Sequence, residues 1–157
     1  MKRKTLSWML GILSVVTFLT ALAMVFFYAP REVTMGDVQR IFYFHVASAW
    51  VGFFGFFVTF VAGILYLLQR RRIWDIWGKS SVNIGVVFIT MTVVTGALWA
   101  KPVWGTYWTW EPRLTISAVQ WLLYVAYGML RSAVDDEEQS ARFAAVYGIV
   151  AFVTVPL

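Results

Sequence analysis

Charged residues divide this chain into long apolar stretches. Uncharged runs cover residues 5–30, 41–69, 80–100, 114–130 and 143–157, which are 26, 29, 21, 17 and 15 residues long. A bilayer core of roughly 30 Å needs about 20 helical residues, with about 17–25 tolerated. The first three runs are long enough to cross, the fourth is just long enough, and the fifth falls short, stopping at Val155-Pro156-Leu157. Lipid offers no partner to open backbone groups, so each run is expected to be a helix. The pattern predicts an all-α, polytopic transmembrane helix bundle, with four full spans plus a truncated fifth. The spans fall at about 6–28, 41–68, 80–99, 113–131 and 142–157, in one membrane domain over 1–157, with an external loop at 100–112.

Two of the runs carry a finer pattern. In span two, Ser48, Gly52, Gly55, Thr59, Ala62 and Tyr66 recur at alternating spacings of 3 and 4 and continue the face of His45. Small residues at that spacing let a second helix or a bulky ligand approach closely. Span three has a parallel seam in Ser81, Gly85, Phe88, Thr92, Thr95 and Trp99, read as helix packing.

Composition strengthens the membrane reading. The chain is 61% hydrophobic and 13% charged, against about 25% charged for an ordinary soluble domain. A globule of 157 residues cannot hide that much apolar surface, so lipid is the expected solvent. The absence of cysteine excludes disulfides and thiolate metal sites. The formal net charge of +5 does not point to nucleic acid, because the basic residues bracket apolar runs and form no patch. Residues 1–4 resemble the basic start of a signal peptide. The apolar run that follows is too long for one and lacks a small-residue cleavage pattern, so an uncleaved first span is expected.

The basic residues also orient the bundle. With the N-terminus cytoplasmic, nine lie inside (Lys2, Arg3, Lys4, Arg70, Arg71, Arg72, Lys79, Arg131 and Arg142), and four lie outside (Arg31, Arg40, Lys101 and Arg113). An excess of Lys and Arg marks the cytoplasmic side.

That orientation puts the densest feature outside. Trp99, Trp104, Tyr107, Trp108 and Trp110 fall within twelve residues, with Glu111 and Arg113 attached. A short helix over 103–110 would place Trp104, Tyr107, Trp108 and Glu111 on one face and turn Trp110 elsewhere, with Pro102 and Pro112 bounding it. Pro112 suits the first position of span four and Glu111 its N-cap. Two readings stand side by side. One is an interfacial belt of amphipathic rings; the other is a platform for a large planar apolar ligand. Lys101 and Arg113 could hold an anionic group, contact headgroups, or pair with Glu111.

His45 lies about one turn below the outer interface. It is either an interhelical hydrogen-bond donor or an axial ligand to a metallocofactor. Met35 is a further candidate ligand. A lone structural zinc site is excluded, since it needs four ligands. The chain has no G-x-x-x-x-G-K-[ST] loop, no C-x-x-C-H and no H-E-x-x-H. No nucleophile–base pair is visible either, so a covalent-chemistry enzyme is the least supported class. A permease subunit and a purely structural membrane subunit are the alternatives, though the distinctive polar residues cluster at the outer face and not at the midplane.

The segment Trp104-Gly-Thr-Tyr-Trp108-Thr-Trp110-Glu111-Pro-Arg113-Leu-Thr115 resembles the signature of the tryptophan-rich haem-handling family of the CcmC, CcmF and CcsA type. Arg40-Ile-Phe-Tyr-Phe-His45-Val-Ala-Ser-Ala-Trp50 resembles its histidine-bearing segment, and Tyr147-Gly-Ile-Val-Ala-Phe-Val-Thr-Val-Pro156 the start of its fifth span. The match runs in order across nearly the whole chain. The resemblance implies a multi-pass protein of the bacterial inner membrane, usually with six spans, that binds haem b transiently at its external face. It implies delivery to the haem chaperone CcmE, in association with the ABC-type subunits CcmA and CcmB and the small membrane protein CcmD. It assigns Trp104, Trp108, Trp110, Glu111 and Arg113 to the haem surface and His45 to the iron, as the first of two external histidines. This chain has Glu111 where the family usually has Asp. The family's second histidine follows the fifth span, inside which this chain ends, so the chain is expected to be C-terminally incomplete.

Overall fold

The computed structural model describes residues 2–156, with side chains from residue 4 onward. Among the described residues the chain forms five α-helices: α1 Lys2–Ala23, α2 Gln39–Gln69, α3 Arg72–Trp104, α4 Pro112–Ser132 and α5 Glu137–Phe152. Three stretches are long and apolar enough to cross a membrane: Lys4–Tyr28, Gln39–Gln69 and Arg72–Trp104. The 21 residues of α4 also have the length of a span, about 31 Å. The 16 residues of α5 do not.

Helix ends follow local chemistry. A π-helical turn, Met24–Tyr28, closes α1 with the Ala29 N–H donating to the Met24 carbonyl at 2.8 Å. Ala29 is extended, as a residue before proline prefers. The following loop is pinned by Glu32, whose carboxylate accepts the N–H groups of Thr34 and Met35, and by Asp37, which pairs with Arg31 at 3.2 Å and Arg40 at 3.3 Å. Arg70 ends α2 in the left-handed conformation, with its N–H donating to the Tyr66 carbonyl at 2.8 Å.

Helix α3 departs from the sequence expectation at both ends. It begins at Arg72, not near 80, so only the Arg70–Arg71 corner separates it from α2. The charges of Arg72, Asp75 and Lys79 read as a loop, but they sit on the helix's first turns, where Asp75 gains a buried partner in Arg131. At the other end α3 continues to Trp104 with Pro102 inside its last turn. Pro102 leaves the Leu98 carbonyl without its helical N–H partner, and the helix ends two residues later at Trp104, before Gly105, whose φ of 76° is left-handed. The loop between α3 and α4 is therefore residues 105–111, and residues 103–110 form no helix of their own, since 103 and 104 end α3.

The core is built on close backbone approach. Ser48, Gly52, Gly55, Phe56, Thr59, Ala62, Gly63 and Tyr66 are buried on α2, so the predicted seam is the packing face. A Cβ on Gly55 would lie 2.9 Å from the Ser81 carbonyl oxygen of α3, and one on Gly85 would lie 2.6 Å from Phe56. Helix α5 seats its small residues Ala141, Ala144, Ala145 and Gly148 against this pair. Helix α4 closes the side, with Tyr124 stacked on Phe56 at a ring-centroid distance of 3.4 Å and Trp121 Nε1 donating to Thr90 Oγ1 at 2.8 Å. Its buried positions, Gln120, Tyr124 and Tyr127, are polar-tipped, while Leu122 and Met129 face outward. That inversion suits a helix whose solvent is lipid. No residue of the α1 span is buried.

Candidate functional site

His45 sits on the second turn of α2, in the groove that α3 opens beside it. Its Nδ1 lies 3.0 Å from the Thr92 carbonyl oxygen and 3.4 Å from Thr95 Oγ1. All hydrogen bonds of the ring among the described residues fall on Nδ1; Nε2 has none. The two sequence readings of this histidine are thus compatible. The interhelical bond occupies one nitrogen and leaves the other, and a metal-bound histidine usually ties its second nitrogen to a carbonyl or carboxylate.

A ladder of rings leads from His45 to the loop. Phe42, one turn before it on α2, stacks against the imidazole with centroids 6.3 Å apart. Phe42 meets Trp99 at 6.5 Å, and Trp99 meets Trp104 edge-on at 5.4 Å. The Arg113 guanidinium lies 5.3 Å over the Trp104 ring while its Nε donates to a Glu111 carboxylate oxygen. A second group forms beyond Gly105, where Trp108 and Trp110 meet edge-on at 5.8 Å. Trp110 is 79% exposed. Lys101 lies 5.2 Å over the Tyr107 ring and also donates through Nζ to the Gly105 carbonyl at 2.9 Å.

The sequence-predicted residues are therefore only partly brought together. His45, Trp104, Glu111 and Arg113 join one continuous cluster through Phe42 and Trp99. Trp108 and Trp110 form their own pair, because residues 108–111 lie outside any helix and do not share a helical face with Trp104. Glu111 and Pro112 take the N-cap and N1 positions of α4, as expected, but the Glu111 side chain turns to Arg113 and makes no cap bond. Arg113 Nε donates to Glu111, which is one of the three arrangements the sequence allows. Met35 lies in the turn over residues 32–36.

The sequence places Trp99 in the tryptophan cluster and Thr92 and Thr95 on a packing seam, but links none of them to His45, and it gives Phe42 and Gly96 no role. The signal was present, since Phe42 precedes His45 by three and 92, 95, 96 and 99 share a helix face. Reading it needed the register of α2 on α3. Two further observations bear on what the site can hold. The indole N–H groups of Trp99 and Trp108 are buried without an acceptor, as are the hydroxyls of Thr109 and Thr115. Buried donors are nearly always satisfied in native proteins, so unpartnered ones call for an acceptor. An anionic group on a flat ligand is chemically suited to supply it.

The fold and the placement of these side chains define a polytopic helical membrane protein with its lone histidine and a shelf of aromatic rings at one end of the bundle. Over residues 1–157 the chain matches the family described as Heme exporter protein C, and it belongs to that family. It is 36% identical over 129 residues to the Heme exporter protein C of Bradyrhizobium diazoefficiens, a match covering 82% of this chain and 49% of the relative. It is 33% identical over 149 residues to that of Escherichia coli and 30% identical over 147 residues to that of Rhodobacter capsulatus. Each of these two matches covers 94% of this chain and 60% of the relative. The chain thus spans about half to three fifths of the length of these relatives.

Proposed function

We propose that this chain binds haem b transiently at the external face of the bacterial inner membrane and presents it for transfer during c-type cytochrome maturation. The acceptor in this reading is the haem chaperone CcmE, and the assembly includes CcmA, CcmB and CcmD. The N-terminus lies in the cytoplasm, consistent with the excess of Lys and Arg on that side. Haem supplies the iron and a flat apolar ring with two carboxylates at one edge. His45 Nε2 is the nitrogen offered to the iron. Trp104, Trp108 and Trp110 offer ring contacts, and Arg113 offers charge, balanced by Glu111 until an incoming carboxylate competes for it. The chain has no cysteine for a thioether bond, so retention rests on ligation and ring contact, and both are reversible.

The observation that carries this reading is the His45–Thr92 bond, which leaves Nε2 unbonded at the foot of the aromatic ladder. Haem titration of the purified protein tests it. His45→Ala should change the Soret and visible bands and lower affinity, while the helical circular dichroism is kept. An unchanged spectrum and affinity would refute ligation by His45.

A further inference from the structure

We infer that Gly96 and Thr95 are positioning residues for His45: they hold the ring as the Nδ1–H tautomer with the Nε2 lone pair free. The meaning of this for haem rests on the ligand role proposed above, but the tautomer itself does not.

The argument is one of donors and acceptors. A helix carbonyl already accepts the N–H four residues on, and its second lone pair is reached from the side. For the Thr92 carbonyl, the residue four on is Gly96. Side chains on a helix tilt toward its N-terminus, so a side chain at 96 would lie over this carbonyl. A Cβ built there would stand 3.0 Å from His45 Cε1 and 3.3 Å from Nδ1. The missing side chain is what lets the imidazole reach the Thr92 oxygen at 3.0 Å.

The second neighbour of Nδ1 is also an acceptor. Thr95 has one hydroxyl proton, and its Oγ1 donates to the Met91 carbonyl at 2.6 Å and, more weakly, toward the Thr92 carbonyl at 3.2 Å, so the proton is engaged by helix carbonyls. The side of Oγ1 facing Nδ1, 3.4 Å away, therefore presents a lone pair. A carbonyl and a hydroxyl lone pair both point at Nδ1. Only a protonated Nδ1 satisfies them; the other tautomer would set lone pair against lone pair at 3.0 Å. In the neutral ring the proton on Nδ1 leaves Nε2 as a base, the form a metal ligand requires. Phe42 lies on the same side of α2, its ring centroid 6.3 Å from that of the imidazole.

The lone histidine makes the test direct. The full chain, labelled with ¹⁵N-histidine and purified in detergent without haem, gives nitrogen shifts and proton couplings for one imidazole only. The parent at neutral pH should show Nδ1 protonated and Nε2 bare. Gly96→Ala should push the ring off Thr92 and raise the Nε2–H population. Thr95→Val should give a smaller rise that Thr95→Ser reverses, a pattern a merely structural role would not produce. A parent protonated at Nε2 overturns the inference, as does a Gly96→Ala protein with the parent's spectrum. Thr95→Val, which adds no bulk, serves if Gly96→Ala does not fold, and an unchanged spectrum there removes Thr95 from the role. Titration with ferric haem then separates the two readings. Loss of on the order of tenfold in affinity in Gly96→Ala is expected for an outer-shell partner of a metal ligand. If the tautomer shifts as stated while His45→Ala binds haem as the parent does, the ligand role fails and the positioning stands.

Discussion

The two ends of the bundle treat their polar groups in opposite ways. At the end near the Arg70–Arg71 corner, Arg131 holds Asp75 through two hydrogen bonds, the longer 3.0 Å, with both side chains less than one fifth exposed. Ser140 donates to the Arg131 backbone carbonyl at 3.2 Å, tying α5 to α4. A polar cleft of about 1200 Å³ opens beside them, but the buried charges themselves are fully matched. At the His45 end the reverse holds. Indole N–H groups are buried with no acceptor among the described residues, and the charged pairs, Glu111–Arg113 and Asp37 with Arg31 and Arg40, leave every one of their side chains at least 30% exposed. One end uses its polar groups to hold helices together. The other leaves buried donors without a partner among the described residues, which is costly.

The largest effect that can test this contrast lies at the closed end. Arg131→Ala leaves the half-buried Asp75 carboxylate without the partner of two charged hydrogen bonds, and should cost about 3 kcal/mol of stability. A joint change of Arg131 and Asp75 to apolar residues of similar volume should recover most of that loss. Thermal unfolding in detergent measures both. Neither change should alter the haem spectrum; if Arg131→Ala shifts it, the ends are not independent.

Trp104→Ala with Trp108→Ala should have the next largest effect, and on the ligand in place of the fold. Each aromatic contact contributes about 1 kcal/mol beyond its buried area, so a loss of about 2 kcal/mol in haem affinity is expected with His45 intact. Unfolding of the pair should follow the parent. Full haem affinity in this variant would return the loop to an interfacial belt.

The smallest effect concerns Arg113. Because Glu111 already occupies its Nε, Arg113→Ala should weaken haem binding by only about 1 kcal/mol, the scale of one charged hydrogen bond set against the pair it replaces. Glu111→Gln should instead strengthen it, by releasing the guanidinium. Both shifts should vanish for haem with esterified propionates. Equal shifts for acid and ester would remove Arg113 from the carboxylates.

Much of the fold was legible because apolar length and small-residue spacing are properties of one helix at a time. The Ser48 to Tyr66 seam needs only 3 and 4 spacing to be recognised, and all six residues are buried. The start of α3 was not legible, since a charge cluster marks a loop unless its partner is known, and the partner Arg131 lies 56 residues on. The form of the tryptophan segment turned on Gly105, whose left-handed backbone ends the helix that ring spacing suggested. His45 was found by its rarity. Its partner Thr92 was hidden, because a backbone carbonyl has no residue-type signature and any side chain could have supplied it.

Helix α1 shows how unevenly the chain is specified. None of its span is buried, and the hydroxyls of Ser14, Thr17 and Thr20 close on the carbonyls of Leu10, Leu13 and Val16 within the same helix. Within these 157 residues its sequence is read as a sum, not as a code. Shuffling residues 5–23 would leave hydropathy and length as they were, whereas exchanging Gly52 with Phe53 would jam two backbones. Changes in α1 that keep its length and hydropathy should therefore leave the packing of α2 to α5 as it is.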